Sequence, residues 1–377
     1  MADEPPKPSM NQLPVSPPET LFFPSQLNCY YDGKLGEGAY GKVYRVRDRT
    51  TGRIRACKVY DFKKMKKNYL KKFVPRETDI MLKVSHPNII TTHCICRSGS
   101  SMYILMDIAE RQDLEHYIIR VCRGNIKEAQ AKIWIKQIAS ALEYLHEIGT
   151  GHRDIKCENI LITRCLNARL ADFGFSRFFN TPKDHSKTFC GTASYAAPEI
   201  LKNIPYISRS TDIWSLGVVL FRVLNKKFPF GDLNIKMREL KKRQESQDYT
   251  FSTQYDISMD AKKLIHRMLT LNPGRRPSAK EVQSDAWCQG ASMSLIIEDD
   301  QKEALETGRS KRNELQKRLR VVDELVNSDN TEVMAELIEK KYADKGDIIS
   351  DRNLKDRVCS YSPKNFIENL KRTQIRK

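Results

Sequence analysis

The chain has no uninterrupted apolar run approaching the eighteen or so residues that a membrane-crossing helix needs. It opens on Met1-Ala2-Asp3-Glu4-Pro5-Pro6, without the basic start and apolar stretch of a secretory signal. Both absences argue against membrane insertion and secretion. Ten cysteines fall at irregular spacing, which reads as free thiols inside a cell and not as a disulfide framework. Cys94-Ile95-Cys96 beside His93 tempts a zinc reading. One intervening residue is poor spacing for a tetrahedral site and no second pair lies nearby, so these read as strand cysteines. Acidic side chains are in deficit, 47 against 65 Lys and Arg, for a formal net charge of +18. Residues 30–290 carry 46 basic and 27 acidic side chains, whereas residues 291–377 carry 18 and 17. The excess therefore sits in the middle of the chain. Its densest patch is Lys63-Lys64-Met65-Lys66-Lys67, with Lys71 and Lys72 beyond, and it lacks the aromatic interleaving of a nucleic-acid surface. A solvated basic face that attracts acidic partners is the better reading.

What is present is concentrated in one constellation. His152-Arg153-Asp154-Ile155-Lys156-Cys157-Glu158-Asn159 is followed, thirteen residues on, by Asp172-Phe173-Gly174. One carboxylate can accept a hydroxyl proton and one cation can face a phosphate, while an Asn and a second carboxylate can hold Mg²⁺. Packing alone does not ask for so many polar groups around one turn. Upstream, Leu35-Gly36-Glu37-Gly38-Ala39-Tyr40-Gly41-Lys42-Val43 is a glycine-rich turn whose backbone can approach phosphates closely. Dinucleotide-binding folds use the same glycine spacing but continue into a helix. Here Lys42-Val43-Tyr44-Arg45-Val46-Arg47 alternates, which predicts a strand. Ala56-Cys57-Lys58-Val59 then places a lysine on a third strand, and the dinucleotide reading fails. Glu77 is the natural partner of Lys58. Pro75 suits a first helical turn, and Ile80, Met81 and Val84 follow at helical spacing.

These residues resemble those of the eukaryotic protein kinases over roughly residues 28 to 290. Phe73-Val74-Pro75-Arg76-Glu77, Lys156-Cys157-Glu158-Asn159, Asp172-Phe173-Gly174-Phe175-Ser176, Lys187-Thr188-Phe189-Cys190-Gly191 and Ser194-Tyr195-Ala196-Ala197-Pro198-Glu199 narrow it further. They resemble the testis-specific serine/threonine kinases, within the calcium/calmodulin-dependent kinase group. The resemblance implies an α+β, two-lobed protein-kinase fold: a small β-rich lobe over about 28–106 and a larger, mainly helical lobe over about 107–290. Residues 1–27, with seven of the sixteen prolines, read as a disordered leader, and residues 291–377 as a charged, partly helical tail. Trp134, Ile138 and Leu142 recur at helical spacing, and Asp212 to Val219 reads as a central buried helix. Arg276 is expected to pair with Glu199 structurally.

The resemblance also assigns a mechanism by position. Met106 is the gatekeeper, backbone groups of Asp107 and Ala109 hold the adenine of ATP, and Asp113 meets the ribose. Residues 35 to 43 cover the triphosphate, Lys58 holds its inner phosphates with Glu77 as partner, and Asn159 and Asp172 carry Mg²⁺. Asp154 orients the substrate hydroxyl and takes its proton, and Lys156 offsets charge on the γ-phosphate. Phe173, His152 and Met81 join a stacked spine. Phosphorylation of Thr188, received by Arg153, is the expected switch, and Thr192 is a structural hydroxyl reaching Asp154 and Lys156. Serine or threonine in proteins is the acceptor. Asp113 and Glu158 favour an upstream arginine, while Arg222 stands where many relatives carry a glutamate. The competing class, a pseudokinase or scaffold, predicts losses at Lys58, Asp154, Asn159 or Asp172, and none is missing. Milder departures are Gln112, Gly151 and Ala193. In the tail, Leu315, Leu319, Val322 and Val326, then Val333, Met334, Leu337 and Ile338, make apolar stripes. They dock on the catalytic domain or bind a partner protein, a chaperone or calmodulin. The expected address is the cytoplasm, with the nucleus as a second site.

Overall fold

The computed structural model describes residues 23–24, 27–37, 41–64, 80–81, 84–122, 126–179, 186 and 192–289. The chain divides into two units, Met1–Lys311 and Arg312–Lys377, and every described residue belongs to the first. Gly38, Ala39, Tyr40, Glu77, Thr188, the basic patch beyond Lys64 and both tail stripes lie outside the described residues.

Alternation builds the small lobe. In β2 (Gly41–Asp48), Tyr44 and Val46 are buried while Arg45 and Arg47 face solvent, the period of a half-buried strand. With β1 (Cys29–Glu37), β3 (Ile54–Asp61), β4 (Thr92–Ser98) and β5 (Ser101–Met106) it forms one antiparallel sheet in the order β1-β2-β3-β5-β4. Gly41 is required here by β3 and not only by a phosphate. A Cβ at this position would stand 2.6 Å from the Val59 carbonyl oxygen. Cys94 and Cys96 lie in β4, and burial pushes the Cys96 thiol up to about 11, leaving it protonated. Phe23 and Leu27, read from the sequence as leader, pack on the sheet with Tyr44 and Tyr103. Burial of these two apolar side chains favours that placement of Phe23 and Leu27.

The large lobe is organised around two helices. In α1 (Glu128–Glu147), Trp134, Ile138 and Leu142 are buried on one face, and the Trp134 indole N–H donates to the Leu166 carbonyl at 2.7 Å. After α2 (Pro198–Leu201) comes α3 (Ser208–Asn225), buried almost all round, with a polar first turn and a largely apolar run from Ile213 to Leu224. It contacts α1 and α5 (Met259–Met268); α4 (Met237–Glu245), α6 (Ala279–Gln283) and α7 (Ala286–Gln289) complete the helical set. Gly217 lets α3 and α5 approach, since a Cβ there would meet Met268 Cβ at 2.9 Å. Arg276 and Glu199 form the expected pair, with nitrogen–oxygen distances of 2.7 and 2.9 Å, and Arg276 also donates to three backbone carbonyls. Such a fork satisfies a buried carboxylate directionally.

Two short ladders pack against α1, one of them also against α3: β6 (Thr150–Gly151) with β9 (Arg177–Phe178), and β7 (Ile160–Ile162) with β8 (Ala168–Leu170). They hold the polar loops in place. Gly151 has a concrete cause, because a Cβ there would fall 2.3 Å from Ser208 Cβ at the start of α3. A branched side chain cannot occupy that space. The small sheet and the helical body together are a two-lobed α+β fold.

Candidate active site

The loop between β6 and β7 is fixed from below by one buried carboxylate. Asp212, on α3 and 1 % exposed, accepts the Arg153 N–H at 2.7 Å on Oδ1. Its Oδ2 accepts the His152 N–H at 3.0 Å and meets His146 Nε2 at 2.9 Å. Three donors on one carboxylate offset its burial. They also hold Arg153 at φ 66, a left-handed conformation that costs a non-glycine residue about 1–2 kcal/mol. Motif reading missed this role. The available signal was an Asp directly before the largely apolar run from Ile213 to Leu224.

Above this anchor the sequence-predicted residues converge. Asn159 Nδ2 donates to the Asp154 backbone carbonyl and to its Oδ2, both at 2.8 Å, and Lys156 Nζ stands 3.0 Å from the same Oδ2. Lys156 also donates to Thr192 Oγ1 at 3.3 Å. The Ala171 N–H donates to the Asn159 carbonyl at 2.9 Å, tying this loop to the strand that leads into Asp172. Asp172 itself stands at φ 63, and Lys58 Nζ, from β3, lies 3.2 Å from its Oδ1. The Lys58 ammonium, outweighing burial, holds the Asp172 carboxyl below its ordinary range. Glu77 lies outside the described residues, so its expected pairing with Lys58 is not placed.

His152 is fully buried, and burial pushes its imidazole below the ordinary range, towards the neutral form. The Ala171 carbonyl lies 3.1 Å from Nε2, and the Asp154 N–H reaches Nδ1 at 3.4 Å, which assigns the proton to Nε2. Its ring stacks edge-on against Phe173 at 5.2 Å, and Met81 is likewise buried.

At the segment joining the lobes, the Asp107 N–H donates to the Thr91 carbonyl at 3.0 Å, and the Ala109 carbonyl accepts from Gln112 at 3.3 Å. Among the described residues, no backbone hydrogen bond engages the Asp107 carbonyl or the Ala109 N–H. Gln112 stands at φ 63, which explains why glycine is frequent there. Asp113 Oδ1 is engaged as a helix cap, accepting the His116 N–H at 2.8 Å. The Arg153 side chain donates from Nε to the Phe175 carbonyl at 2.7 Å, while its buried NH1 has no hydrogen-bond partner among the described residues. Arg222 is paired with Glu115 at 2.6 Å and lies over the Phe228 ring.

The donor set suits a small, hard cation: an amide and a carboxylate oxygen, with the carboxylate held ionised. Among the described residues no cluster of three or more His, Cys, Asp or Glu surrounds a metal position. Two protein ligands, with phosphate and water completing the shell, is the pattern of Mg²⁺ beside a nucleotide.

The family described as Protein kinase domain matches residues 30–288. Testis-specific serine/threonine-protein kinase 1 of Mus musculus is 37 % identical over 268 residues, covering 69 % of this chain and 72 % of that relative. Testis-specific serine/threonine-protein kinase 3 of Homo sapiens is 36 % identical over 265 residues, covering 69 % of this chain and 96 % of that relative.

Proposed function

This chain belongs to the protein kinase family, as a serine/threonine kinase related to the testis-specific ones, and we propose how its residues divide the work of moving the γ-phosphate of ATP to a protein hydroxyl. The hinge groups, the Asp107 carbonyl and the Ala109 N–H, hold adenine as an acceptor–donor pair. Asp113 meets the ribose with the carboxylate oxygen that does not cap the helix. Residues 35–43 cover the triphosphate, and Lys58 holds the inner phosphates. Asn159 and Asp172 would hold Mg²⁺, which would supply positive charge to offset that of the phosphates. Asp154 uses Oδ1 for the substrate hydroxyl, because Oδ2 is engaged by Asn159 and Lys156. Lys156 faces the transferring phosphoryl group. Positioning and charge carry the rate, as little covalent chemistry is asked of the protein. The observation that carries this reading is the shared grip of Asn159 and Lys156 on one Asp154 oxygen. Transfer of label from γ-labelled ATP to a protein acceptor by purified protein tests it.

Activity is switched by a phosphate on Thr188. The support is Arg153, a guanidinium beside Asp154 with a buried nitrogen whose hydrogen-bonding capacity is unused among the described residues. Thr188→Ala is expected to lower kcat/KM by about tenfold or more. Full activity, with no phosphate at the wild-type site by mass spectrometry, removes the switch.

Substrate choice follows from the carboxylates that remain. Glu158 is exposed near the Tyr195 hydroxyl, whereas Glu115 is already paired with Arg222. The enzyme therefore prefers arginine three residues before the acceptor, moderately, and gains little from arginine two before it. A peptide-library screen checks this, and strong selection at the nearer position contradicts it. From the names of the relatives we extend the role to spermatogenesis, with an address in the cytoplasm and the tail as a binding site for a partner or chaperone. Loss of the protein in developing germ cells is the corresponding test.

A further inference from the structure

We infer that the side chain of Asp107 is the hub of a charged clamp that positions the adenine-binding hinge. Three elements from both lobes converge on it. Pairing of β4 with β5 runs from Thr92↔Met106 to Cys94↔Leu105, so His93 is the extra residue of a β-bulge. Bulges re-aim side chains, and this one brings His93 Nε2 to 2.6 Å from Asp107 Oδ1. From the large lobe, Arg169 in the middle of β8, 2 % exposed, donates from NH1 to Asp107 Oδ2 at 3.0 Å. Arg55 on β3 brings a second guanidinium to 4.0 Å from Oδ1. Burial pushes the Asp107 carboxyl up, but the hydrogen bond and charge of His93 and the Arg169 guanidinium outweigh it and keep it below the ordinary range.

The consequence lies on the backbone of the same residue. The Asp107 N–H is tied to Thr91, and its side chain is tied to β3, β4 and β8, so the residue that carries the carbonyl is restrained on both sides. An acceptor fixed beforehand loses less freedom when adenine binds. Arg169 is also three residues before Asp172, and Ala171 alone separates the end of β8 from that residue in the chain. His93, Arg55 and Arg169 are thus positioning residues for nucleotide. This rests on the reading that Asp107 and Ala109 meet adenine.

The test uses the full chain with Arg169→Met, Arg169→Lys and His93→Gln, measuring KM for ATP, KM for a peptide, kcat and melting temperature. Arg169→Met is expected to raise the KM for ATP about five- to tenfold. Peptide KM should not move, and kcat should stay within about twofold. Arg169→Lys should recover most of the loss because it returns a cation to the hub. His93→Gln, which keeps a donor, should give a smaller rise in the same constant. An unchanged KM for ATP in a folded Arg169→Met protein overturns the clamp. So does a higher kcat/KM for ATP, which would make the hub a restraint on the hinge. If Arg169→Met melts below the assay temperature, His93→Gln decides alone, and an unchanged KM for ATP there is equally fatal. Calorimetric titration of the wild type with ATP separates the two readings. No binding refutes the nucleotide site itself, whereas binding with unaltered variant constants refutes only the clamp.

Discussion

Asp154→Asn is expected to reduce phosphoryl transfer to background, a fall of about 10²–10⁴-fold, with ATP affinity within a few-fold of wild type. Asn has the shape of Asp without its charge. Asp154 Oδ2 now accepts from Asn159 at 2.8 Å and lies 3.0 Å from Lys156. An amide must turn its oxygen towards those two donors, which leaves its NH₂ facing the substrate hydroxyl. The group that should receive a proton then offers one. The proposed nucleotide contacts should be unaffected, since Lys58, Asn159 and Asp172 keep their places. Transfer from γ-labelled ATP, beside a calorimetric titration with a non-hydrolysable analogue, checks both halves. Equal activity of variant and wild type, in protein free of other kinases, would falsify the assignment.

Asp212→Ala should cost both stability and activity, although Asp212 touches no reacting atom. The substitution orphans the buried N–H groups of His152 and Arg153 and unpairs His146. Losing a buried carboxylate that serves several donors costs on the order of 3–5 kcal/mol. Arg153 also loses what holds it at φ 66, and Asp154 follows it directly in the chain. A displacement of about 1 Å at such a residue costs about 10²-fold in rate. Urea denaturation should show the lower stability, and kcat on a peptide should fall even where the variant remains folded. A variant with wild-type melting and wild-type kcat would mean that the loop is held by other contacts.

The two predictions differ in how visible their residues are in the chain. Asp154, Lys156 and Asn159 stand within six residues of one another, with Asp172 in the next motif. Local spacing is enough to mark them, because transferring a phosphoryl group demands a base, a cation and metal-binding oxygens close together. Asp212 lies 59 residues from Arg153, and Arg169 lies 62 from Asp107. No periodicity or motif connects such pairs. Gly41 was readable as a phosphate-loop glycine, yet the reason that a Cβ cannot be accommodated there is the Val59 carbonyl. Gly151 stood out as a departure, and only Ser208 explains it.

By itself, the sequence determined the reaction class, the fold class, the strand of Lys58 and the chemistry available at each motif. These follow from side-chain type, from the two-residue and 3.6-residue periods, and from turn residues, all of which act over a few positions. The tertiary structure decided which oxygen of Asp154 is occupied and that Asp107 gives its backbone N–H to Thr91. It also decided that Arg222 is spent on Glu115, and that a bulge turns His93 onto Asp107. Those outcomes depend on distances between segments far apart in the chain. Burial then sets their energies, because a buried carboxylate must find donors wherever the packing brings them.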